Sequence, residues 1–195
     1  LADRPVLTPG VAALCWVVSA WGVVNLGVLY LQSLTPAAIQ FDGAWYHLPS
    51  AQDYARHGSL VGFADDPVRN YPQLATLWYT YAFLVPGLST PLRWMTSLHL
   101  EFALFLWKCV GVAAGVRWIV RDRPCPGAWA ALFLFPAVFV GSQSIGGGAD
   151  HALGFFAMPI LLATVRCAPQ LETRRAVLLG LLCGGALLAR YQAVY

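Results

Sequence analysis

The chain of 195 residues is 58% hydrophobic and only 11% charged, and its 12 Lys and Arg against 9 Asp and Glu give a net charge of +3. Soluble domains carry about 25% charged residues, so this composition indicates a membrane protein. The arginines are scattered between apolar segments and form no basic stripe, so nucleic-acid binding is set aside.

The cysteines form no CxxC pair and have no histidine at metal-ligand spacing. The sequence therefore indicates no metal site, and a divalent cation is neither required nor excluded.

Apolar segments long enough to approach the roughly 20 residues of a membrane span recur along the chain. They cover residues 10–32, 98–120, 127–143, 150–166 and 176–195. The sequence therefore predicts an all-α, polytopic transmembrane helix bundle of about five spans, with residues 1–195 forming a single membrane domain. Because the chain starts without Met and ends inside an apolar run, we expect it to be the N-terminal part of a larger enzyme.

Charge predicts the orientation of these segments. The linkers at 117–123 and 166–175 are rich in arginine and are expected on the cytoplasmic side by the positive-inside rule. The apolar stretch at 72–87 is short for a span and either crosses the membrane or lies on its surface. We expect the surface arrangement, because arginines are sparse in the surrounding sequence. Residues 33–97 then form an extracytoplasmic loop with juxtamembrane helices.

This loop contains the polar stretch FDGAWYHLPSAQDYARHG at 41–58. Asp42 is expected to cap a helix, Pro49 to occupy the first turn of a second helix, and Gly58 to end it. The second outer loop, SQSIGGGADHALG, leads directly into Asp150, and its glycines allow a sharp turn or a close backbone approach.

Two basic residues are expected well inside predicted spans, where an ionised side chain costs at least about 2.5 kcal/mol unless it is paired or hydrated. Lys108 has Glu101 two turns away on the same helix face, which favours an internal ion pair. Arg190 lies nearer the outer end of its span. Two roles stay equally open for Arg190. It either contacts a phosphate or a lipid carrier, or it forms a purely structural pair.

The order of these features carries a family resemblance. A first span is followed by the outer pattern D-x-x-x-Y-H-L-P-x-A-x-x-Y-x-x-x-G-S-L, a proline-led amphipathic helix, an Asp at the outer start of the fourth span and a basic residue in the fifth. This arrangement resembles the GT-C superfamily of polytopic glycosyltransferases. The branch it is most similar to contains the aminoarabinose transferase of lipid A and the protein O-mannosyltransferases.

The resemblance implies an enzyme of the cell (inner) membrane whose active side is extracytoplasmic. Such an enzyme moves a sugar, with inversion, from a polyprenyl-phosphate donor to a hydroxyl of a lipid, glycan or protein acceptor. The family's acids match Asp42, the expected base or acceptor-orienting residue, and Asp150, a second catalytic acid. The resemblance and the pattern together give the candidate substrate-binding residues Tyr46, His47, Arg69 and Arg190, with the two arginines expected at the lipid phosphate.

Other readings of the same residues stay open. Asp42 and Asp150 also suit simple helix capping, and His47 also suits a polar tip at the membrane interface. His151 is expected to point to a different face of its helix from Asp150. For the whole chain, the alternatives are a membrane transporter or lipid flippase and a non-catalytic homologue.

Overall fold

The protein is described here from a computed structural model, which covers residues 7–71, 73–121, 125–140, 145–170 and 172–194, without the side chains of 135–140. Within these residues helices are the only regular secondary structure and there is no strand, which confirms the all-α class. The helices are α1 (Pro9–Gln32), α2 (Leu48–His57), α3 (Leu74–Leu84), α4 (Thr90–Ile119), α5 (Pro126–Val140), α6 (Asp150–Cys167) and α7 (Thr173–Ala189).

Three of these helices are long and apolar enough to cross a membrane. They are α1 with 24 residues, α4 with 30 and α6 with 18. Helices α5 and α7 have 15 and 17 residues, a little below the length of a typical span. Helix length and composition therefore support a membrane protein with three candidate spans, and the count of about five stays a prediction.

Helix α3 occupies the stretch whose placement the sequence leaves open. Its 11 residues reach only about 16 Å at 1.5 Å per residue, roughly half the hydrocarbon thickness. One face of α3 is buried against the rest of the protein, with Tyr79 fully enclosed and Phe83 nearly so. This length fits a helix that lies at the end of the bundle and does not cross the membrane.

Helix α4 is central to the packing. Helices α3, α5 and α6 all contact it, α7 packs on α6, α1 packs on α5, and α2 packs on α3. The largest core cluster joins α2, α3, α4 and α6 through Leu48, Tyr79, Leu104 and Ala152, and it includes Ala189 at the end of α7. The best-packed part of the protein therefore lies where α2 and α3 cover one end of the longer helices.

Successive long helices run in opposite directions, so the loops that join them lie at two opposite ends of the bundle. The segment after α1, the start of α4, the loop before α6 and the end of α7 meet at one end, where Gln40 bonds to Gly146 and Ala189 joins the α2 and α3 core. Arg117 at the end of α4, Arg166 near the end of α6, and Arg174 and Arg175 at the start of α7 lie at the other end. This separation matches the distribution of charge in the sequence.

The prediction that Asp42 caps a helix is wrong. Asp42 has helical dihedral angles (φ −60°, ψ −43°) and makes no capping hydrogen bond, because the helical turn already includes Phe41 and Asp42 and continues through a π turn at Gly43–His47 into α2. The predictions for Pro49, in the first turn of α2, and Gly58, at its left-handed end with φ +65°, are confirmed. Asp150 begins α6 as expected and is its first helical residue, while Ala149 occupies the N-cap position.

The prediction that Arg190 lies deep inside a span is also wrong. Helix α7 ends at Ala189, and Arg190 has an extended backbone with φ −158° and ψ 135° before the 3-10 turn Tyr191–Val194. The extended residue turns the chain back over the end of the bundle. Arg190 therefore lies just beyond the end of α7 and not within a helix.

Gly43 allows the first outer segment to pack directly against the glycine loop before α6. A Cβ atom at position 43 would lie 2.4 Å from the carbonyl oxygen of Gly146 and 3.1 Å from Cα of Gly147. Both are backbone atoms, which do not move aside as a side-chain tip does. A glycine at position 43 is thus required by close backbone packing.

We predict that Gly43→Ala destabilises the protein by about 1–3 kcal/mol, because the added methyl group must push the two backbones apart. Gly27→Ala in α1, where an added Cβ meets nothing within 4 Å, serves as the matched control and leaves stability unchanged or slightly raised. Thermal unfolding in detergent, followed by circular dichroism, measures both effects. Equal midpoints for the two variants would contradict the packing.

Candidate functional site

A cavity of about 360 Å³ opens at the end of the bundle where the outer segments meet. Its walls come from four separate parts of the chain, at positions 42 and 45–47, 68 and 71, 149, and 189–192. Four of the six candidate site residues line it directly: Asp42, Tyr46, His47 and Arg190. A fifth, Asp150, joins them through an ion pair with Arg190.

The loop before α6 holds these walls together. The Glu101 carboxylate, only 2% exposed, accepts a hydrogen bond of 2.6 Å from the backbone N–H of Gly147, and the N–H groups of Gly146 and Gly148 are also directed to it. Successive backbone N–H groups of this kind form a concave anion site, called a nest. Here the group that the N–H groups surround is a side chain of the protein itself.

The same loop also contacts two neighbouring segments through its carbonyl groups. The carbonyl of Gly146 accepts a hydrogen bond of 2.9 Å from the backbone N–H of Gln40, and the carbonyl of Gly148 accepts one from the Tyr79 hydroxyl. Gly147 has φ +81°, a conformation that glycine adopts without strain. The triple glycine therefore ties α4, α3 and the residues before Asp42 to the start of α6.

Asp42 and Tyr46 form the first wall of the cavity. Tyr46 lies one helical turn after Asp42, and its hydroxyl donates a hydrogen bond to the Asp42 carboxylate. Burial, followed by the charge of that carboxylate, raises the pKa of Tyr46 to about 12, while Arg190 acts in the opposite direction. Tyr46 therefore stays protonated and orients the carboxylate toward the cavity.

Arg190 provides the positive charge of the site. Its guanidinium pairs with Asp150, and its Nε donates a hydrogen bond of 2.9 Å to Oε1 of Gln192. The Asp150 side chain is 77% exposed, so water screens this pair and its contribution to stability is small. An arginine has five N–H donors, so Arg190 can be held by these two partners and still bind an anion in the cavity.

His47 lies deeper in the wall and is only 1% exposed. Its Nδ1 is 2.8 Å from the hydroxyl of Thr76 on α3. Burial, with a further effect from the charge of Arg190, lowers the pKa of His47 from 6.5 to about 4. The imidazole is therefore neutral at physiological pH.

Arg69 does not join this group. Its guanidinium forms an ion pair with Asp53 at 2.6 Å, donates from Nε to the Ser50 hydroxyl at 2.9 Å and stacks 3.6 Å above the ring of Phe63. These contacts attach the turn Pro67–Asn70 to α2. The side chain expected at a lipid phosphate is thus engaged in a structural cluster, although its neighbour Val68 lines the cavity.

Lys108 and His151 form a partly buried polar pair between α4 and α6, away from the cavity. Lys108 Nζ is 3.3 Å from Nδ1 of His151, which accepts the hydrogen bond because an ammonium group only donates. His151 is 3% exposed and points away from the cavity, as expected from its position next to Asp150. No cluster of three or more His, Cys, Asp or Glu suited to a metal ion occurs in the described part of the chain.

Several residues of the site carry no signal in the sequence that would identify them. Tyr71 and Tyr191 line the cavity and meet edge to face with ring centroids 5.5 Å apart, and Gln192 positions Arg190. Their placement depends on the turns that follow residue 67 and α7. Glu101 was expected only as a partner for Lys108, and its hydrogen bonds to the glycine loop were not predicted. The triple glycine was the one clue in the sequence to this role.

Comparison of the chain with protein-family models, with curated proteins and with solved structures finds no match in any of the three. The family resemblance therefore stays a prediction, and the function must be argued from the geometry of the site.

We predict that acidification destabilises the protein through His47. The unfolded chain takes up a proton near pH 6.5 but the folded protein only near pH 4, so stability is present at neutral pH and is lost as the pH falls through this window. The loss attributable to His47 is at most about 3 kcal/mol.

Unfolding midpoints measured between pH 7 and pH 4 test this for the wild type, His47→Gln and the control His57→Gln. His57 is an exposed histidine at the end of α2. His47→Gln should flatten the pH dependence, and His57→Gln should retain it. An unchanged slope in His47→Gln would show that another group is responsible.

Proposed function

We propose that this chain forms the reaction centre of an inverting membrane glycosyltransferase that takes its sugar from a polyprenyl-phosphate donor. The observation that carries the proposal is that Asp42 and Arg190, far apart in sequence, line one cavity at the end of the bundle opposite the arginine-rich linkers. A carboxylate and a guanidinium in one cavity are the two charges that such a transfer needs.

The proposed reaction uses these groups on opposite sides of the anomeric carbon. The acceptor hydroxyl oxygen attacks that carbon as its proton passes to the Asp42 carboxylate. The bond from the anomeric carbon to the phosphate oxygen breaks, and the lipid phosphate leaves with the bonding electron pair. Arg190 stabilises the charge on the departing phosphate, and Asp150 positions Arg190.

The proposal includes a membrane arrangement. Helices α5 and α7 complete about five spans with α1, α4 and α6, and the cavity faces the extracytoplasmic side of the cell (inner) membrane. The alternation of helix directions and the arginines in both linkers at the far end support this orientation. The acceptor is a hydroxyl of a lipid, glycan or protein.

We predict that Asp42→Asn lowers sugar transfer by about 10²–10⁴-fold, because an amide does not accept the proton of the attacking hydroxyl. Transfer from a labelled polyprenyl-phosphate sugar in membranes containing the full-length protein measures the effect. Asp65→Asn makes the same chemical change at an exposed position outside the cavity and should transfer normally. Equal transfer by the two variants would refute the role of Asp42 and favour a transporter, a flippase or a non-catalytic homologue.

We also predict opposite membrane sides for positions 45 and 125. Trp45 lines the cavity and is 46% exposed, whereas Cys125 lies in the linker between α4 and α5. A membrane-impermeant thiol reagent added outside intact cells should label a single cysteine at position 45 and leave a protein with only Cys125 unlabelled. Labelling of position 45 from the cytoplasmic side alone would overturn the orientation.

A further inference from the structure

His47, which lines the cavity, has one side-chain nitrogen without a hydrogen-bond partner among the described residues. Nε2 of His47 is buried and has no hydrogen-bond partner among the described residues, whereas Nδ1 of the same ring is held by Thr76. Most buried polar side-chain atoms in proteins have a partner, so an exception in the wall of a cavity requires an explanation. A bound ligand that supplies the missing partner is the explanation that fits a residue lining the cavity.

The ring is held in one position by its surroundings. Thr76 is fully buried on α3, and its backbone carbonyl accepts a hydrogen bond of 2.9 Å from the Thr80 hydroxyl. The rings of Tyr46 and Tyr79 flank the imidazole at centroid distances of 4.2 and 6.1 Å. A group fixed in this way is suited to select a ligand by hydrogen-bond geometry, since little rotamer freedom remains to be lost on binding.

The charge around His47 indicates which kind of ligand group it accepts. Arg190 lines the same cavity and attracts an anion, and its positive charge together with burial lowers the pKa of His47 to about 4. A neutral imidazole nitrogen forms a hydrogen bond with a neutral hydroxyl. The phosphate and a hydroxyl-bearing group of the same ligand therefore have separate partners in the cavity.

We propose that Nε2 of His47 forms a hydrogen bond with a hydroxyl group of the sugar carried by the lipid donor, while Arg190 binds the phosphate. This inference rests on the proposed function and adds the group that distinguishes a sugar-bearing lipid phosphate from a bare one. His47 is thus a specificity-determining residue, and Thr76 positions it.

The test compares the binding of two probes to the full-length protein in nanodiscs, without acceptor. The probes are undecaprenyl phosphate and undecaprenyl phosphate carrying a hexose. Wild type should bind the sugar-bearing lipid more tightly. His47→Asn retains a nitrogen near Thr76 but lacks the far ring nitrogen, so it should lose roughly three- to tenfold in affinity for the sugar-bearing lipid and little for the bare lipid.

Two further variants keep the test decisive. His47→Gln extends a polar amide toward the position of Nε2 and should retain part of the preference for the sugar. His47→Met fills a similar volume without a hydrogen-bonding group, and it replaces His47→Asn if that variant does not fold.

The outcomes separate the inference from the proposed function. An undiminished preference for the sugar-bearing lipid in both His47→Asn and His47→Met would overturn the inference and leave the proposed function standing. An equal loss of affinity for both probes would also overturn it, because His47 would then act on the fold of the cavity. If wild type binds neither probe, the proposed function fails and the inference fails with it.

Discussion

The hydrogen bonds between the Glu101 carboxylate and the glycine loop hold together the end of the bundle at which the cavity lies. A carboxylate buried on a membrane-length helix is stable only if its oxygens are satisfied, and the N–H groups of Gly146, Gly147 and Gly148 are the groups directed to it. The loop in turn holds two other segments. Its Gly146 carbonyl binds the backbone N–H of Gln40, and its Gly148 carbonyl binds the Tyr79 hydroxyl of α3. One buried acid therefore sets the positions of the glycine loop, of the segment that leads into the cavity residues 42 and 45–47, and of α3, which holds His47 through Thr76.

This arrangement explains why an otherwise apolar protein has the polar stretch 41–58 at one end of its helix bundle. Gly43 lets the stretch approach the loop, and the π turn that follows places Asp42, Tyr46 and His47 along one side of the cavity. A second wall comes from the end of α7. Arg190 itself has an extended backbone there and leads the chain back over the end of the bundle. The neutral side chains of Tyr46 and His47 and the positively charged Arg190 thus come from different segments that line the same cavity.

Much of the fold follows from hydropathy, because long apolar segments in a membrane must be helical to satisfy their backbone. The five long helices overlap the predicted apolar segments, although α4 begins earlier than expected and α7 ends earlier. Helix α2 has the expected Pro49 in its first turn and ends at the expected Gly58. The meeting of Asp42, Asp150 and Arg190 was also predictable, since alternating helix directions bring these positions to the same end.

The remaining details depend on contacts that sequence spacing does not reveal. Arg69 was expected at a lipid phosphate, but Asp53 and Ser50, a turn apart on α2, hold it by an ion pair and a hydrogen bond. The capping role expected for Asp42 fails because the helical turn starts before it. Tyr71, Tyr191 and Gln192 enter the cavity only through local turns, which hydropathy and charge do not specify.

The central claim is that the first outer segment and the end of α7 face each other across one cavity. Cross-linking with a short bifunctional thiol reagent tests it most directly, using Trp45→Cys with Tyr191→Cys in a protein whose native cysteines are replaced. Trp45→Cys with Val177→Cys is the control, because Val177 is exposed near the other end of α7. We predict efficient intramolecular cross-linking for the first pair and none for the control. No cross-link at 45 and 191, or equal yields for both pairs, would contradict the shared cavity and the chemistry proposed for it.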